Sequence, residues 1–167
     1  MSDKIFYTTF KTTFCNITLV GNHDGLTNLE MSHTDGKRIF EIDSNWIKND
    51  DFFVDIKKQL CEYFAGKRTS FTNIKLNING TDFQKKVWNT LQKIDYGAVV
   101  SYKTIAEMIN KPKASRAVGM ANSKNKIPII IPCHRIVGSN GQLTGFAHGL
   151  QLKKRLLNLE RGKENVI

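Results

Sequence analysis

The sequence predicts an α/β protein of the α+β kind: a small sheet-and-helix half, then a mainly helical half containing a helix-turn-helix. Three observations carry this. Short alternating apolar segments are confined to the first half, a helical apolar period begins at Asp51, and the second half holds two short helices separated by a breaker. With 167 residues, 40% of them apolar, the chain can fill one large core or two small ones.

In the first half, residues 17–20 and 26–31 alternate as strands, and Gly21, Asn22, Asp24 and Gly25 supply the turns between them. Between residues 51 and 65, Phe52, Phe53, Ile56, Leu60 and Phe64 recur at helical spacing. Asp50 and Asp51 suit the start of that helix and Gly66 its C-terminal cap. Residues 66–73, rich in Thr, Ser, Lys and Arg, form a connector, after which Ile74, Leu76 and Ile78 alternate with polar residues as an edge strand. The boundary falls near Gly80, giving an N-terminal α/β domain at 1–79 and a C-terminal domain at 80–167.

The second half opens with Thr81 and Gln84, a capping-box pair, ahead of Phe83, Val87, Trp88, Leu91 and Ile94 on a helix that Gly97 closes. Ser101 can cap a short helix carrying Ile105, Ala106 and Ile109. Lys111 and Pro112 break it, and residues 114–122 resume with Val118 and Ala121 inward, a helix-turn-helix pattern. An apolar run at 127–131 leads through Pro132 to a loop with Gly138, Gly141, Gly145 and Gly149, and a last helix covers 150–160.

The formal net charge is +10, and it is not evenly spread. Residues 1–80 hold 10 Lys+Arg and 10 Asp+Glu, leaving 15 and 5 for residues 81–167, so the halves carry 0 and +10. A localised basic excess is the footprint of a nucleic-acid partner, although a basic surface kept for solubility gives the same count. The sequence shows no membrane-length apolar stretch and no signal-peptide core, which predicts a cytoplasmic protein. Cys15, Cys61 and Cys133 are odd in number and widely spaced, arguing for a reducing compartment without a disulfide framework.

Cys133 stands between Pro132 and His134-Arg135, immediately after the apolar run. An unperturbed thiol with a pKa of ~8.5 is only about 3% thiolate at neutral pH, so a nucleophile here needs a base or a cation beside it. His134 can be that base. On an extended strand its ring would face away from the thiol, so the proton would pass through a water or across a turn. Glu160, at the end of the last helix, is a candidate to fix the imidazole tautomer. A Cys-His hydrolase would use the same pair, but with an oxyanion hole and many turnovers.

Residues 125–138 closely resemble the active-site signature of the methylated-DNA protein-cysteine methyltransferases, the 6-O-alkylguanine-DNA alkyltransferase family, with Ile-Pro-Cys-His-Arg-Ile-Val at 131–137 as its core. The resemblance spans residues 81–162 and takes in Phe83 to Trp88, Tyr96-Gly97, Ser101-Tyr102 and Pro112 to Gly119. It implies a ribonuclease H-like N-terminal domain and a winged-helix-like C-terminal domain that binds DNA and takes the alkyl group. The implied reaction is irreversible, stoichiometric transfer from 6-O-alkylguanine, and from 4-O-alkylthymine, in DNA to Cys133. No cofactor is implied, and the partner is double-stranded DNA bound by a monomer through the minor groove with the alkylguanine flipped out. Alkyltransferase-like proteins keep this frame without the cysteine, and Cys133 argues against that variant.

Residue by residue, the resemblance implies that His134 deprotonates Cys133 through a water, that Glu160 orients His134, and that Asn125 braces the turn. Tyr102 helps the nucleotide rotate out and offers a proton to the departing guanine. Arg116 fills the vacated base stack, Gly119 lets its helix approach closely, and Lys113, Ser115, Ser123 and Lys124 contact the groove or phosphates. Phe146, Ala147 and His148 fall in the substrate-pocket loop at positions where some members have tyrosine, serine and glycine. Some members also hold a structural zinc in the N-terminal domain. Cys15, His23, His33 and Cys61 are the candidate ligand types here, but with no close Cys-x-x-Cys or His-x-x-x-His pair no metal is expected.

Overall fold

The computed structural model describes residues 3–32 and 40–163. His33, one of the four candidate zinc-ligand types, lies outside them.

Four strands form the first sheet, in the order β3-β2-β1-β4: β1 at Phe6–Lys11, β2 at Asn16–Asn22, β3 at Gly25–Ser32 and β4 at Ile47–Lys48. β1 with β2 and β2 with β3 pair antiparallel, while the short β4 runs parallel to β1. β1 and β4 were not legible as strands from the sequence. β1 (FYTTFK) mixes polar and apolar residues on both faces and does not alternate cleanly, and the two residues of β4 carry no period.

One face of the sheet is covered by α1, Val54–Phe64, entered through a 3-10 turn at Asp51–Phe53. Asp50 does not cap it by its side chain; its carboxylate instead accepts from the Thr8 hydroxyl at 2.6 Å, and Asn49 Oδ1 accepts from the Phe52 amide.

The edge strand expected around residues 74–78 is absent. Only Leu76 forms a bridge, to Leu26, through Leu26 N–H to the Lys75 carbonyl and Asn77 N–H to the Leu26 carbonyl, each at 2.8 Å. Two features stop the ladder there. Asn73 turns the chain at φ 55°, and the next part of the β3 edge is taken by the Lys126 carbonyl, which accepts from Leu29 N–H at 2.9 Å. The close approach at this edge requires Gly25, because a Cβ there would lie 2.7 Å from the Lys75 carbonyl oxygen.

The second half packs α2 (Asp82–Leu91), α3 (Tyr102–Met108), α4 (Ser115–Ser123) and α5 (Leu150–Glu160) around a two-stranded parallel sheet of β5 (Val100–Ser101) and β6 (Ile136–Val137). The Thr81/Gln84 capping box forms in both directions, at 3.1 and 3.0 Å, and Ser101 caps α3. α2 stops at Leu91, before Ile94 and Gly97. α3 and α4 form the helix-turn-helix, with Val118 and Ala121 buried, and Trp88 Nε1 on α2 donates to the Ala121 carbonyl at 2.9 Å.

One apolar cluster runs through both halves, from Leu19, Leu29, Phe53 and Leu60 to Trp88, Ile105, Leu152 and Leu156. Pairing β5 with β6 brings Tyr102, which follows β5, toward the Cys133 turn, which precedes β6. No helix among the described residues is long and apolar enough to cross a membrane.

Losing a side-chain N-cap typically costs about 1 kcal/mol. Thr81→Ala should therefore lower the melting temperature by about 2–4 °C while leaving alkyl transfer at 25 °C unchanged. Thermal denaturation followed by circular dichroism, paired with a transfer assay, checks both.

Candidate active site

The turn bearing Cys133 is built by its own backbone and clamped by two asparagines. Ile131 N–H donates to the Ile127 carbonyl at 2.9 Å, Cys133 N–H to the Ile131 carbonyl at 2.8 Å and Arg135 N–H to the Pro132 carbonyl at 3.1 Å. Asn125 grips both ends of the run: its Oδ1 accepts from Ile127 N–H at 2.9 Å and its Nδ2 donates to the Ile131 carbonyl at 2.8 Å. Asn122, on α4, donates from Nδ2 to the Cys133 carbonyl at 3.3 Å, tying the second helix of the helix-turn-helix to the thiol-bearing residue. Ile129 sits at φ 74°, a conformation costly for a β-branched side chain, and is held there by the buried surroundings it shares with Ile127 and Ile131.

Cys133, His134 and Arg135 form a 3-10 turn, not the extended strand considered from the sequence. Successive side chains are then about 120° apart, so the thiol and the imidazole do not face opposite ways. Cys133 is buried, and the His134 side chain is fully so.

His134 Nε2 lies 2.7 Å from Glu160 Oε1, while its Nδ1 is buried and makes no hydrogen bond with protein atoms among the described residues. Because the carboxylate can only accept, Nε2 carries the hydrogen and Nδ1 presents a lone pair. Burial lowers the imidazole pKa below its ordinary value, and Glu160 partly opposes that.

Arg135, read from the sequence as a neighbour of the thiol, turns instead to Glu160. Its Nε donates to Oε2 at 2.9 Å and its Nη2 to Oε1 at 2.8 Å, a two-pronged pairing, while Nη1 donates to the Ile94 carbonyl at 2.6 Å. Gly97 N–H adds a donor to Oε2 at 3.2 Å, and the Tyr63 hydroxyl donates to Oε1 at 2.7 Å. Burial pushes the Glu160 carboxyl up, but the bonds and charges of His134 and Arg135 outweigh it and hold the group well below the usual carboxylate range.

Two of these partners escaped the sequence reading. Tyr63 lies 97 residues from Glu160, on the helix of the other half. Lys153, on α5, is fully buried and donates from Nζ to the Thr144 carbonyl at 2.9 Å. Burial pulls its pKa down to about 8, with Cys133 acting the other way. No local pattern marks either residue: Tyr63 reads as a core aromatic and Lys153 as one lysine of a basic helix.

A cavity of about 10 Å³ is lined by Asn122, Ser123, Asn125, Cys133, Gly145, Phe146, Ala147 and His148. That is the room one water needs, so a guanine enters only if the 145–148 segment moves. The His148 ring packs 5.5 Å from that of Phe146, and its Nδ1 donates to the Met31 carbonyl of β3 at 3.2 Å. The Tyr102 hydroxyl lies 3.2 Å from the Thr144 hydroxyl, and Gly119 brings α4 against the Tyr102 ring. On α4, Arg116, Ala117, Met120 and Ser123 are exposed; Lys113 and Lys124 flank it in solvent, and Ser115 is half-buried. In the N-terminal half the Cys15 thiol is buried, its pKa raised to about 11, while Cys61 is exposed on α1.

Residues 82–162 match the family described as 6-O-methylguanine DNA methyltransferase, DNA binding domain, and residues 5–78 match its ribonuclease-like domain. The methylated-DNA protein-cysteine methyltransferase of Methanosarcina acetivorans is 46% identical over 156 residues, covering 93% of this chain and 98% of its own. The chain belongs to the methylated-DNA protein-cysteine methyltransferase family.

The Methanosarcina barkeri methyltransferase is 49% identical over 93% of this chain and 97% of its own. Mycobacterium tuberculosis OGT, solved in complex with DNA, superposes with a TM-score of 0.85 at 40% identity, covering 95% of this chain and 94% of that one. The methyltransferase fold is thus a ribonuclease-like sheet-and-helix domain followed by a helical DNA-binding domain. Its reaction moves a methyl group from 6-O-methylguanine in DNA to a cysteine of the protein, which repairs the base.

Removing one partner of a buried ion pair typically costs about 3–5 kcal/mol. Glu160→Gln should therefore lower the melting temperature of this methyltransferase by roughly 6–20 °C at neutral pH. The folded carboxyl titrates below its unfolded value of ~4.3, so its stabilisation is complete above that pH and fades as pH falls toward the folded value. Melts at pH 7 and in the acid range should show the gap between the two proteins closing, and a constant gap would contradict the assignment.

Proposed function

We propose that Cys133 is the methyl acceptor and that each molecule acts once. The observation that carries this reading is the buried His134–Glu160 pair on the same turn as buried Cys133, in which the imidazole is fixed by Nε2 and keeps a lone pair on Nδ1. The Cys133 proton passes through a bridging water to Nδ1, and the thiolate attacks the methyl carbon in line with its bond to the guanine oxygen. The C–S bond forms as the C–O bond breaks, and the electron pair goes to the guanine ring. The Tyr102 hydroxyl protonates the departing base and recovers its proton from solvent. Asn125 holds the turn rigid during the step. The thioether offers water no leaving group, so the thiol is not regenerated. 4-O-alkylthymine presents the same alkoxy group beside a ring nitrogen, and the same displacement applies to it.

In-line attack is impossible within a stacked duplex, so the damaged nucleotide must leave the helix at a cost of a few kcal/mol. In our reading α4 lies in the minor groove with Arg116 in the vacated stack, and Gly119 allows the close approach. Lys113, Ser115, Ser123 and Lys124 contact groove and phosphates. A minor-groove site suits a protein that must find damage in any sequence, because that groove discriminates bases poorly. The exposure of Arg116 and its lack of hydrogen bonds or ion pairs with the described residues support this use. Phe146, Ala147 and His148 form the pocket wall and limit the alkyl size. The reading includes a cytoplasmic monomer divided into domains at residues 79–80, with no cofactor.

Incubation with duplex DNA containing 6-O-methylguanine should raise the intact mass by one methylene, with Cys133 the modified residue. Cys133→Ser should abolish transfer and leave DNA affinity nearly unchanged. Multiple turnovers, or methylation elsewhere, would refute the assignment.

Arg116→Ala should slow repair of duplex DNA by about 10- to 100-fold, the price of an unfilled gap, and leave transfer from the free base intact. Single-turnover rates on both substrates decide it, since equal losses would assign Arg116 to folding.

A further inference from the structure

We infer that Tyr63 is a positioning residue for methyl transfer, supplied by the N-terminal domain to share Glu160 Oε1 with His134. The inference rests on the reading of His134 as the base.

Two observations set Tyr63 apart from an ordinary core aromatic. Its side chain is fully buried, and its ring packs against Phe64, Phe71 and Tyr96 at centroid distances of 5.4, 5.5 and 6.2 Å. Phenylalanine would make the same ring contacts, so only the hydroxyl distinguishes this residue. That hydroxyl donates 2.7 Å to the same oxygen that receives His134 Nε2 at 2.7 Å and Arg135 Nη2 at 2.8 Å.

The second observation is that Glu160 does not need this bond. A carboxylate offers about four lone-pair positions. Glu160 receives five donors: Tyr63, His134 and Arg135 Nη2 on Oε1, with Arg135 Nε and Gly97 N–H on Oε2. Without Tyr63 four remain, enough to satisfy the group. The hydroxyl is therefore redundant for pairing, and its effect falls on charge.

Each donor on Oε1 withdraws electron density from the oxygen that supports His134 Nε2–H. Tyr63 thus weakens the pull of Glu160 on the imidazole, helping to keep it neutral and its Nδ1 available at lower pH. The other charged or titratable groups around it are Arg135 on the turn, Lys153 on α5, Cys133 and Tyr96. Arg135 and Lys153 also disfavour the imidazolium, so Tyr63 acts in the same direction as both. Burial and the Glu160 charge push the Tyr63 phenol well above its ordinary pKa, so it remains a donor throughout the working range.

The test uses the full-length chain, Tyr63→Phe, and a variant with 3-fluorotyrosine at position 63, which keeps the shape and strengthens the donor. Two quantities are followed: the single-turnover rate on methylated duplex DNA against pH, and the His134 titration by NMR with labelled imidazole. Losing this donor to the ionised carboxylate, with only part of the bond's strength transmitted to the imidazole, should raise the His134 titration and the acid limb of the rate together by roughly half to one pH unit. Fluorotyrosine should move both the other way.

An unmoved His134 titration in both variants would overturn the inference and leave Tyr63 a packing residue. If the titration moves while the rate profile does not, Tyr63 tunes His134 as inferred and the reading of His134 as the base fails instead. Should Tyr63→Phe fold poorly, the fluorotyrosine protein decides the question on an unaltered core.

Discussion

The carboxylate of Glu160 is the point on which this structure depends. It is buried at the end of α5, where an unpaired charge would not be tolerated, and donors from three separate segments meet it: α1 through Tyr63, the α2–β5 connection through Gly97, and the thiol turn through His134 and Arg135. The guanidinium neutralises the charge, and the remaining donors complete the shell. With that point fixed, the last helix, the turn and the N-terminal helix cannot shift independently. The turn takes its orientation from a residue 25 positions downstream and a helix in the other domain.

The chemistry inherits this arrangement. Arg135 pairs with Glu160 and holds it ionised, and Glu160 holds the Nε2–H tautomer of His134, which leaves a lone pair on Nδ1. Burial favours the neutral imidazole, and Glu160 partly offsets that by favouring the imidazolium. Lys153 contributes a second buried cation, anchored to the Thr144 carbonyl next to the 145–148 segment. Charges of both signs are thus buried close to the Cys133 turn.

The N-terminal sheet acts at the same boundary. Its β3 edge, a potential site of unwanted strand pairing, is closed by residues 75–77 and by the Lys126 carbonyl just upstream of the active turn. The Met31 carbonyl at the end of β3 receives His148 from the pocket loop. The sheet thus contacts both walls of the site, the turn through Lys126 and the loop through His148, while α1 reaches its floor through Tyr63. A half that showed no specific motif in the sequence thus touches the surroundings of the Cys133 turn at three points.

Features that depend on near neighbours along the chain were legible in the amino-acid order. The capping box at Thr81, the cap at Ser101, the breaker at Lys111-Pro112 and the period of α5 are short-range patterns, and each forms where it was expected. The string around Cys133 likewise identified the family, since its chemistry is concentrated in a few consecutive residues. Tertiary structure decided the rest. β1 and β4 exist because β2 and the chain near Ile5 offer partners, and residues 74–78 fail as a strand because Lys126 takes the edge they would extend along. The redirection of Arg135 to Glu160, the recruitment of Tyr63 and the burial of Lys153 have the same origin: a buried charge must find its donors wherever packing brings them, and that distance in sequence leaves no local trace.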